Sequence, residues 1–184
     1  SKGFSSTSIS DIAESAGVSV GSFYEHFDSK EALLTEYMLS LGADYHTLYL
    51  RMKKGLDGKF ADHMEQLQQF LRSCLLILTH DSAYKDLLRI NFAYMIRSSS
   101  LLADHDRPFF HILEELIRLS KEEGSIRTDL SSDFILHELL FLYRSIAIEW
   151  CSGPEGIPIE ARFPELDELI RFLRTEEVVP VGQG

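Results

Sequence analysis

The chain has 184 residues, of which 45% are hydrophobic and 26% are charged, a balance typical of a globular protein. Its 12 Phe, 7 Tyr and 1 Trp predict a substantial core and exclude a disordered chain or a collagen-like fibre. The longest stretch without Asp, Glu, Lys or Arg has ten residues, Ser15–Tyr24, and a membrane span needs about 20 apolar residues. No signal peptide is recognised, and Cys74 and Cys151 cannot form a disulfide scaffold. We therefore expect a cytoplasmic protein without a membrane partner.

The charge is strongly acidic and unevenly spread. The whole chain has a net charge of −11, which by itself argues against nucleic-acid binding because phosphate contacts need Lys and Arg. Residues 1–54 hold 5 basic and 7 acidic side chains, a net of −2, and residues 55–184 hold 13 and 22, a net of −9. An anion-binding surface is therefore more plausible near the N-terminus.

Hydrophobic periodicity and capping residues predict an all-α chain. Ser8 begins the first helix, with Asp11 completing a capping box, and Gly17 ends it. Ser19 begins a second helix that ends near Phe27, and Ser29 begins a third. The later predicted helices are Phe60–Leu78, Tyr84–Ile96, Pro108–Gly124, a long helix from Ser131 or Ser132 to about Trp150, and Phe163–Leu173.

The first two helices have the spacing of a helix-turn-helix, because about three residues separate them. Gly17 provides a turn that favours positive φ, and Val18 and Phe23 are predicted to close a small core. Val20, Ser22 and Tyr24 are predicted to face outward from the N-terminal half of the second helix. That position suits contact with phosphate oxygens and base edges.

This region resembles the tetracycline-repressor (TetR/AcrR) family of transcription regulators over about the first 35 residues. The residues that carry the resemblance are Gly3-Phe4, Thr7-Ser8-Ile9, Asp11-Ile12-Ala13, Ala16-Gly17-Val18-Ser19, Gly21-Ser22-Phe23-Tyr24, His26-Phe27, Ser29-Lys30-Glu31 and Leu33. Gly124-Ser125-Ile126-Arg127-Thr128-Asp129 resembles the loop that such proteins have before two dimerising helices. Family members have a further helix before the first motif, so we expect the sequence to be N-terminally incomplete.

The resemblance implies a ligand-responsive regulator, most often a repressor, without a cofactor. Its DNA-binding domain would be residues 1–46, and a helical effector-binding and dimerisation domain would be residues 47–184. The partners would be double-stranded operator DNA, a small-molecule effector and a second copy of the chain. The implied DNA-binding residues are Thr7, Ser19, Val20, Ser22, Tyr24, His26 and Lys30, with Tyr24 and Lys30 on phosphates.

Two later features fit this interpretation. The segment Phe134–Trp150 has 12 apolar residues of 17, so it must be covered on several sides, either within one chain or in a homodimer that it forms with Phe163–Leu173. A hydrophobic or aromatic effector is predicted in a cavity, with plain core packing as the alternative for about half of the lining residues. The candidate lining residues are Phe70, Cys74, Phe92, Met95, His111 and Tyr143, and Asn91, Arg97 and Arg144 are further polar candidates.

Other function classes have less support. His105, His111 and His137 lack the spacing of metal ligands, so no metal site is expected. No phosphate-binding loop, dinucleotide fingerprint, HExxH or GxSxG motif is present, and we expect no enzymatic activity. The remaining alternative is a ligand-binding or interaction module of the same fold that does not bind an operator.

Overall fold

The computed structural model describes residues 7–80, 85, 87–90, 92, 107–154 and 157–175. The α-helices with both ends in these ranges are α1 (Ile9–Ser15), α2 (Val20–His26), α3 (Lys30–Lys53), α4 (His63–Leu78), α5 (Pro108–Glu123), α6 (Ser132–Ser152) and α7 (Phe163–Leu173). A 3-10 turn, Ile159–Arg162, precedes α7. Across the described ranges the only β-type pairing is an isolated bridge between Ile126 and Arg174, which confirms the all-α prediction. No helix in these ranges has the length and apolar character to cross a membrane.

The capping residues begin the N-terminal helices where the sequence predicts. The Ser8 side chain accepts a hydrogen bond from the Asp11 N–H at 3.1 Å, and the Asp11 carboxylate accepts one from the Ser8 N–H at 2.7 Å. Ser19 and Ser29 cap α2 and α3 by accepting from the backbone N–H three residues further on. Gly17 has φ of +69°, a conformation that disfavours residues with a Cβ, so this glycine allows the tight turn between α1 and α2.

The helices α1 and α2 form a small N-terminal unit, here called the head, whose core is smaller than predicted. Ala13 and Phe23 are buried, whereas Val18 is 46% exposed, so the prediction that Val18 closes this core is wrong. The backbone N–H of Val18 donates to the Ala13 carbonyl at 2.9 Å. The turn is therefore closed by the main chain, and the Val18 side chain remains near solvent.

The start of α4 also differs from the prediction, because the helix begins at His63 and not at Phe60. Asp62 is its N-cap and accepts from the Glu65 N–H at 2.7 Å. Arg174, just after α7, donates to both Asp62 oxygens at 2.6 and 3.1 Å. The Asp62 carboxylate thus sets the first residue of α4 and connects α4 to the end of α7.

The core is built around α4, which packs on α3, α5, α6 and α7. Residues 85, 87–90 and 92 are helical, in agreement with part of the predicted helix Tyr84–Ile96, whose ends lie outside the described residues. Leu88 packs into the core, and Arg89 donates to the Cys151 carbonyl near the end of α6.

A long α3 connects the head to this core. It runs without interruption through residues 46 and 47, the predicted domain boundary. At Gly42 it passes close to the start of α5, where an added Cβ would lie 3.7 Å from Pro108 Cδ. A shift of α3 at this crossing would therefore displace both the head and the start of α5.

Candidate nucleic-acid interface and ligand cavity

The N-terminal half of α2 exposes the side chains that the sequence predicts to face outward. Val20 is 39% exposed and Tyr24 is 54% exposed, and Ser22 is partly exposed. The Tyr24 ring stands edge-on to the buried Phe23 ring, with 5.8 Å between centroids. The small core therefore supports an exposed hydroxyl-bearing surface.

The other predicted DNA-binding residues have partners within the head. Lys30 Nζ donates to the Thr7 carbonyl oxygen at 3.0 Å, which joins the segment before α1 to the start of α3. His26 Nδ1 donates to the Ser22 carbonyl at 2.9 Å, and Ser19 Oγ accepts from the Ser22 N–H at 2.9 Å. Lys30 and Ser19 therefore have structural contacts in addition to any contact with DNA.

A cavity of about 660 Å³ lies among α3, α5 and α6. This volume is within the roughly 300–1,000 Å³ range of small-molecule sites. On α3 the lining residues Leu41, Tyr45 and Tyr49 follow one another at the spacing of helical turns. On α6 the lining residues Leu140, Tyr143 and Ala147 do the same. Leu78, Leu88, Phe92 and the first turns of α5 complete the lining.

A buried pair of tyrosines joins α3 to α6 at the cavity. The Tyr45 and Tyr143 hydroxyls are hydrogen-bonded at 2.9 Å, and burial raises the pKa of both. The Phe109 ring lies 5.2 Å from the Tyr45 ring and 4.8 Å from the Tyr143 ring. Both hydroxyls are therefore neutral in the ordinary pH range, and the wall is aromatic with one polar bridge.

Toward the C-terminal end of α3, the cavity lining contains an ion pair. Lys53 Nζ lies 3.0 Å from Glu115 Oε1, and hydrogen bonding from Lys53 lowers the pKa of Glu115. Burial, together with the Glu115 carboxylate, raises the pKa of Tyr49. The positive charge of Lys53 is thus already compensated by a carboxylate.

Two arginines and two histidines also line the cavity: Arg107 and His111 near the start of α5, Arg144 on α6 and His46 on α3. The half-buried Arg144 guanidinium lies over the Phe110 ring, 5.6 Å from its centroid. Burial lowers the pKa of Arg144, and the charge of Arg107 lowers it further. The His111 side chain is 61% exposed and lies 3.4 Å from Glu114, so it is at the edge of the cavity.

Three of the six predicted effector residues line this cavity, namely Phe92, His111 and Tyr143. Phe70 and Cys74 are fully buried and are absent from the lining; Phe70 lies behind it and stacks on Phe109 at 5.9 Å. Met95, Asn91 and Arg97 lie outside the described residues. The sequence analysis missed Tyr45 and Tyr49 as lining residues, although their spacing of four on one helix was an available signal.

Comparison with known proteins agrees with the helix-turn-helix geometry. Residues 1–37 match the family described as bacterial regulatory proteins, tetR family. An Escherichia coli K12 protein named as a probable acrEF/envCD operon repressor is 23% identical over 181 residues, which cover 95% of this chain and 81% of the relative. The repressor KstR2 of Mycobacterium tuberculosis is 27% identical over 137 residues, 73% of this chain and 66% of the relative.

Solved structures show the same fold. The Thermus thermophilus repressor FadR, in complex with lauroyl-CoA, superposes with a TM-score of 0.65 at 24% identity, over 98% of this chain and 91% of that one. The structure of Mycobacterium tuberculosis KstR2 gives a TM-score of 0.60 at 20% identity, over 94% and 87%. The N-terminal residues of this chain thus match the tetR family of bacterial regulatory proteins, and nearly the whole chain has the fold of solved regulators of that kind.

Proposed function

We propose that this chain is a repressor that releases its operator when a hydrophobic or aromatic effector binds in the α3–α5–α6 cavity. The continuous course of α3 is the observation that carries the proposal. Lys30, at its start, is bonded to the head through Thr7, and Tyr45, Tyr49 and Lys53 lie in the cavity wall. A ligand that favours one position of α3 would therefore change the position of the head.

The exposed face of α2 is the proposed operator surface. Val20, Ser22 and Tyr24 would reach base edges and phosphates in the major groove, as the second helix of a helix-turn-helix does. Thr7, Ser19, His26 and Lys30 would contact the flanking backbone. The acidity of the chain does not oppose this assignment, because only −2 of the net charge falls in residues 1–54.

The exposed apolar residues of α6 and α7 support the proposed homodimer. Phe134 and Phe141 are 44% and 67% exposed, and their spacing of seven places them on one face of α6. Phe172 of α7 is 55% exposed. A two-fold pairing of these surfaces would cover them and place two heads on successive half-sites of DNA.

The aromatic and aliphatic lining supports an apolar effector over a sugar or a polyphosphate. Phe92, Tyr143 and the edge residue His111 are proposed contacts, with Phe70, Cys74 and Met95 retained as the other sequence-based candidates. Two solved proteins of this fold hold lauroyl-CoA and stearoyl-CoA, whose long acyl chains support an effector with an apolar part here.

A gel-shift experiment tests the proposal. The full-length protein is used to select duplexes from a random DNA pool, and the selected duplex is then titrated with protein and with apolar compounds. We expect retention of the duplex without ligand and its release by a compound that binds the cavity. Failure to select any duplex would favour the alternative, a ligand-binding module without operator binding.

A further inference from the structure

We infer that the effector carries a carboxylate on an apolar body, and that Arg144 binds this carboxylate inside the cavity. The inference rests on the proposed function for the location of the effector. It adds the charge of the ligand and the residue that recognises it.

The position of Arg144 on α6 directs it to the cavity. Arg144 is within four residues of Leu140, Tyr143 and Ala147 on α6. All four of these residues line the cavity. The Arg144 guanidinium lies over the Phe110 ring, 5.6 Å from the centroid, which limits the directions in which it can bind. A planar guanidinium held in this way suits two parallel hydrogen bonds to a carboxylate.

Arg144 differs from most of the arginines that the structure describes. Seven other arginines in the described ranges each lie within ion-pair distance of an Asp or Glu carboxylate. No carboxylate in those ranges lies within such a distance of Arg144. A half-buried charge without a counter-charge is costly, so an anionic group from outside the chain would offset that cost.

A second arginine and a helix N-terminus lie near Arg144. Arg107, at the start of α5, is near enough for its charge to disfavour the charged form of Arg144. The first turn of α5, which begins at Pro108, lies on the same cavity, and the N-terminus of a helix favours negative charge. An anion at this place would be attracted by Arg144 and by the start of α5.

The rest of the lining fixes the orientation of the ligand. At the other polar position Lys53 is already paired with Glu115, so a second carboxylate there would be repelled. Much of the remaining lining is aromatic or aliphatic, including Tyr45, Tyr49 and Leu140. We therefore place the anionic head at Arg144 and the apolar body along α3.

Calorimetric titration with three ligands of equal chain length tests this inference. Decanoate, decanol and decyltrimethylammonium carry a negative, a neutral and a positive head on the same apolar body, and each is used below its micelle concentration. We expect decanoate to bind at least about tenfold more tightly than decanol, as a hydrogen bond to a charged group implies, and decyltrimethylammonium to bind most weakly. Equal affinity for decanoate and decanol, or no binding of decanoate, would overturn the inference.

Two arginine variants assign the preference to one residue. Arg144→Gln should reduce decanoate affinity by about tenfold or more and leave decanol affinity within about twofold. Arg118→Gln is the matched control, since Arg118 is on α5, pairs with Glu122 and does not line the cavity. An unchanged decanoate affinity in Arg144→Gln would contradict the inference, and the comparison of ligands on the unmodified chain remains decisive if that variant unfolds.

A gel shift separates this inference from the proposed function. If decanoate binds through Arg144 without releasing the selected duplex, the ligand class stands and the proposed regulation fails. If decanol releases the duplex as well as decanoate does, and Arg144→Gln changes neither, the regulation stands and the inference fails.

Discussion

At the scale of single residues, Tyr24 and Lys30 differ in how many roles each has. The Tyr24 hydroxyl lies on an exposed face of α2, whereas Lys30 is partly buried and hydrogen-bonded to the Thr7 carbonyl. Loss of the Tyr24 hydroxyl should therefore affect only the proposed DNA contact, whereas Lys30 also joins α3 to the segment before α1.

We predict that Tyr24→Phe and Lys30→Ala both weaken operator binding but differ in stability. Tyr24→Phe should leave the free energy of unfolding unchanged, and Lys30→Ala should lower it by about 1 kcal/mol, because a hydrogen bond within the head is lost. Lys30→Ala should also lower the salt slope of DNA binding by about one. Gel shifts at several salt concentrations and urea unfolding measure these effects; normal DNA affinity in both variants would remove the assignment of this surface.

The hydroxyls of Tyr45 and Tyr143 form a second pair of residues with a measurable role. Each is buried, and each is the hydrogen-bond partner of the other. Removal of one hydroxyl leaves the other without that partner, whereas removal of both leaves no such group.

We predict that Tyr45→Phe and Tyr143→Phe each lower the free energy of unfolding by about 1–3 kcal/mol. The double variant should be more stable than the sum of the single changes implies, since no unpaired hydroxyl remains. Urea unfolding at one fixed protein concentration measures all four forms. Strict additivity would mean that the hydroxyl contact contributes nothing.

At the scale of helices, Asp62 illustrates how a side chain sets a helix boundary and joins two elements. It caps α4 and pairs with Arg174 beyond the end of α7. The hydrogen bond from Arg174 is the main cause of a lowered Asp62 pKa. Because the folded-state pKa is below the unfolded value, the ionised carboxylate stabilises the fold above about pH 4, and that stability is lost as the pH falls through the folded-state pKa.

We predict that Asp62→Asn costs up to about 1 kcal/mol at pH 7, since the pair is partly exposed to solvent, and that the cost disappears in acid. Asn still caps a helix, so Asp62→Ala should cost about 1 kcal/mol more. Urea unfolding of both variants at pH 7 and at pH 3 provides the measurement. A cost for Asp62→Asn that is the same at both pH values would refute the role of the charge.

At the scale of the whole molecule, the position of the cavity relates the effector to the head. The cavity lies beside α3 and between α5 and α6, and α6 carries the exposed face that we assign to the dimer. Ligand and operator would then influence one another through the same helices, and each would alter the affinity for the other by the same factor.

We predict that Phe141→Glu prevents dimer formation, because an unpaired charge would have to be buried between two copies. Leu56→Glu is the control: Leu56 is 66% exposed, almost the same as Phe141 at 67%, but lies in the loop after α3. Sedimentation at micromolar concentration should show dimers for the unmodified chain and for Leu56→Glu, and monomers for Phe141→Glu. A monomeric unmodified chain would exclude a two-headed regulator.

Local chemistry explains why the sequence determined most helix boundaries of this protein. Ser8, Ser19 and Ser29 each accept a hydrogen bond from the backbone N–H three residues further on. Gly17 adopts the positive φ that the turn after α1 requires. All four residues therefore act on neighbours that are close in the sequence. The start of α4 was predicted three residues too early because periodicity extends through Phe60, while Asp62 and its distant partner Arg174 set the boundary.

Only the tertiary structure decided which inward residues face empty space. Phe70, Cys74 and Tyr143 are all buried apolar or aromatic positions of their helices, yet only Tyr143 lines the cavity. Periodicity identifies the side of a helix that avoids water but does not distinguish a packed neighbour from a void, which depends on how α3, α5 and α6 approach one another. That no carboxylate within the described ranges pairs with Arg144 follows from the same arrangement, because it depends on where residues far apart in the chain come to lie.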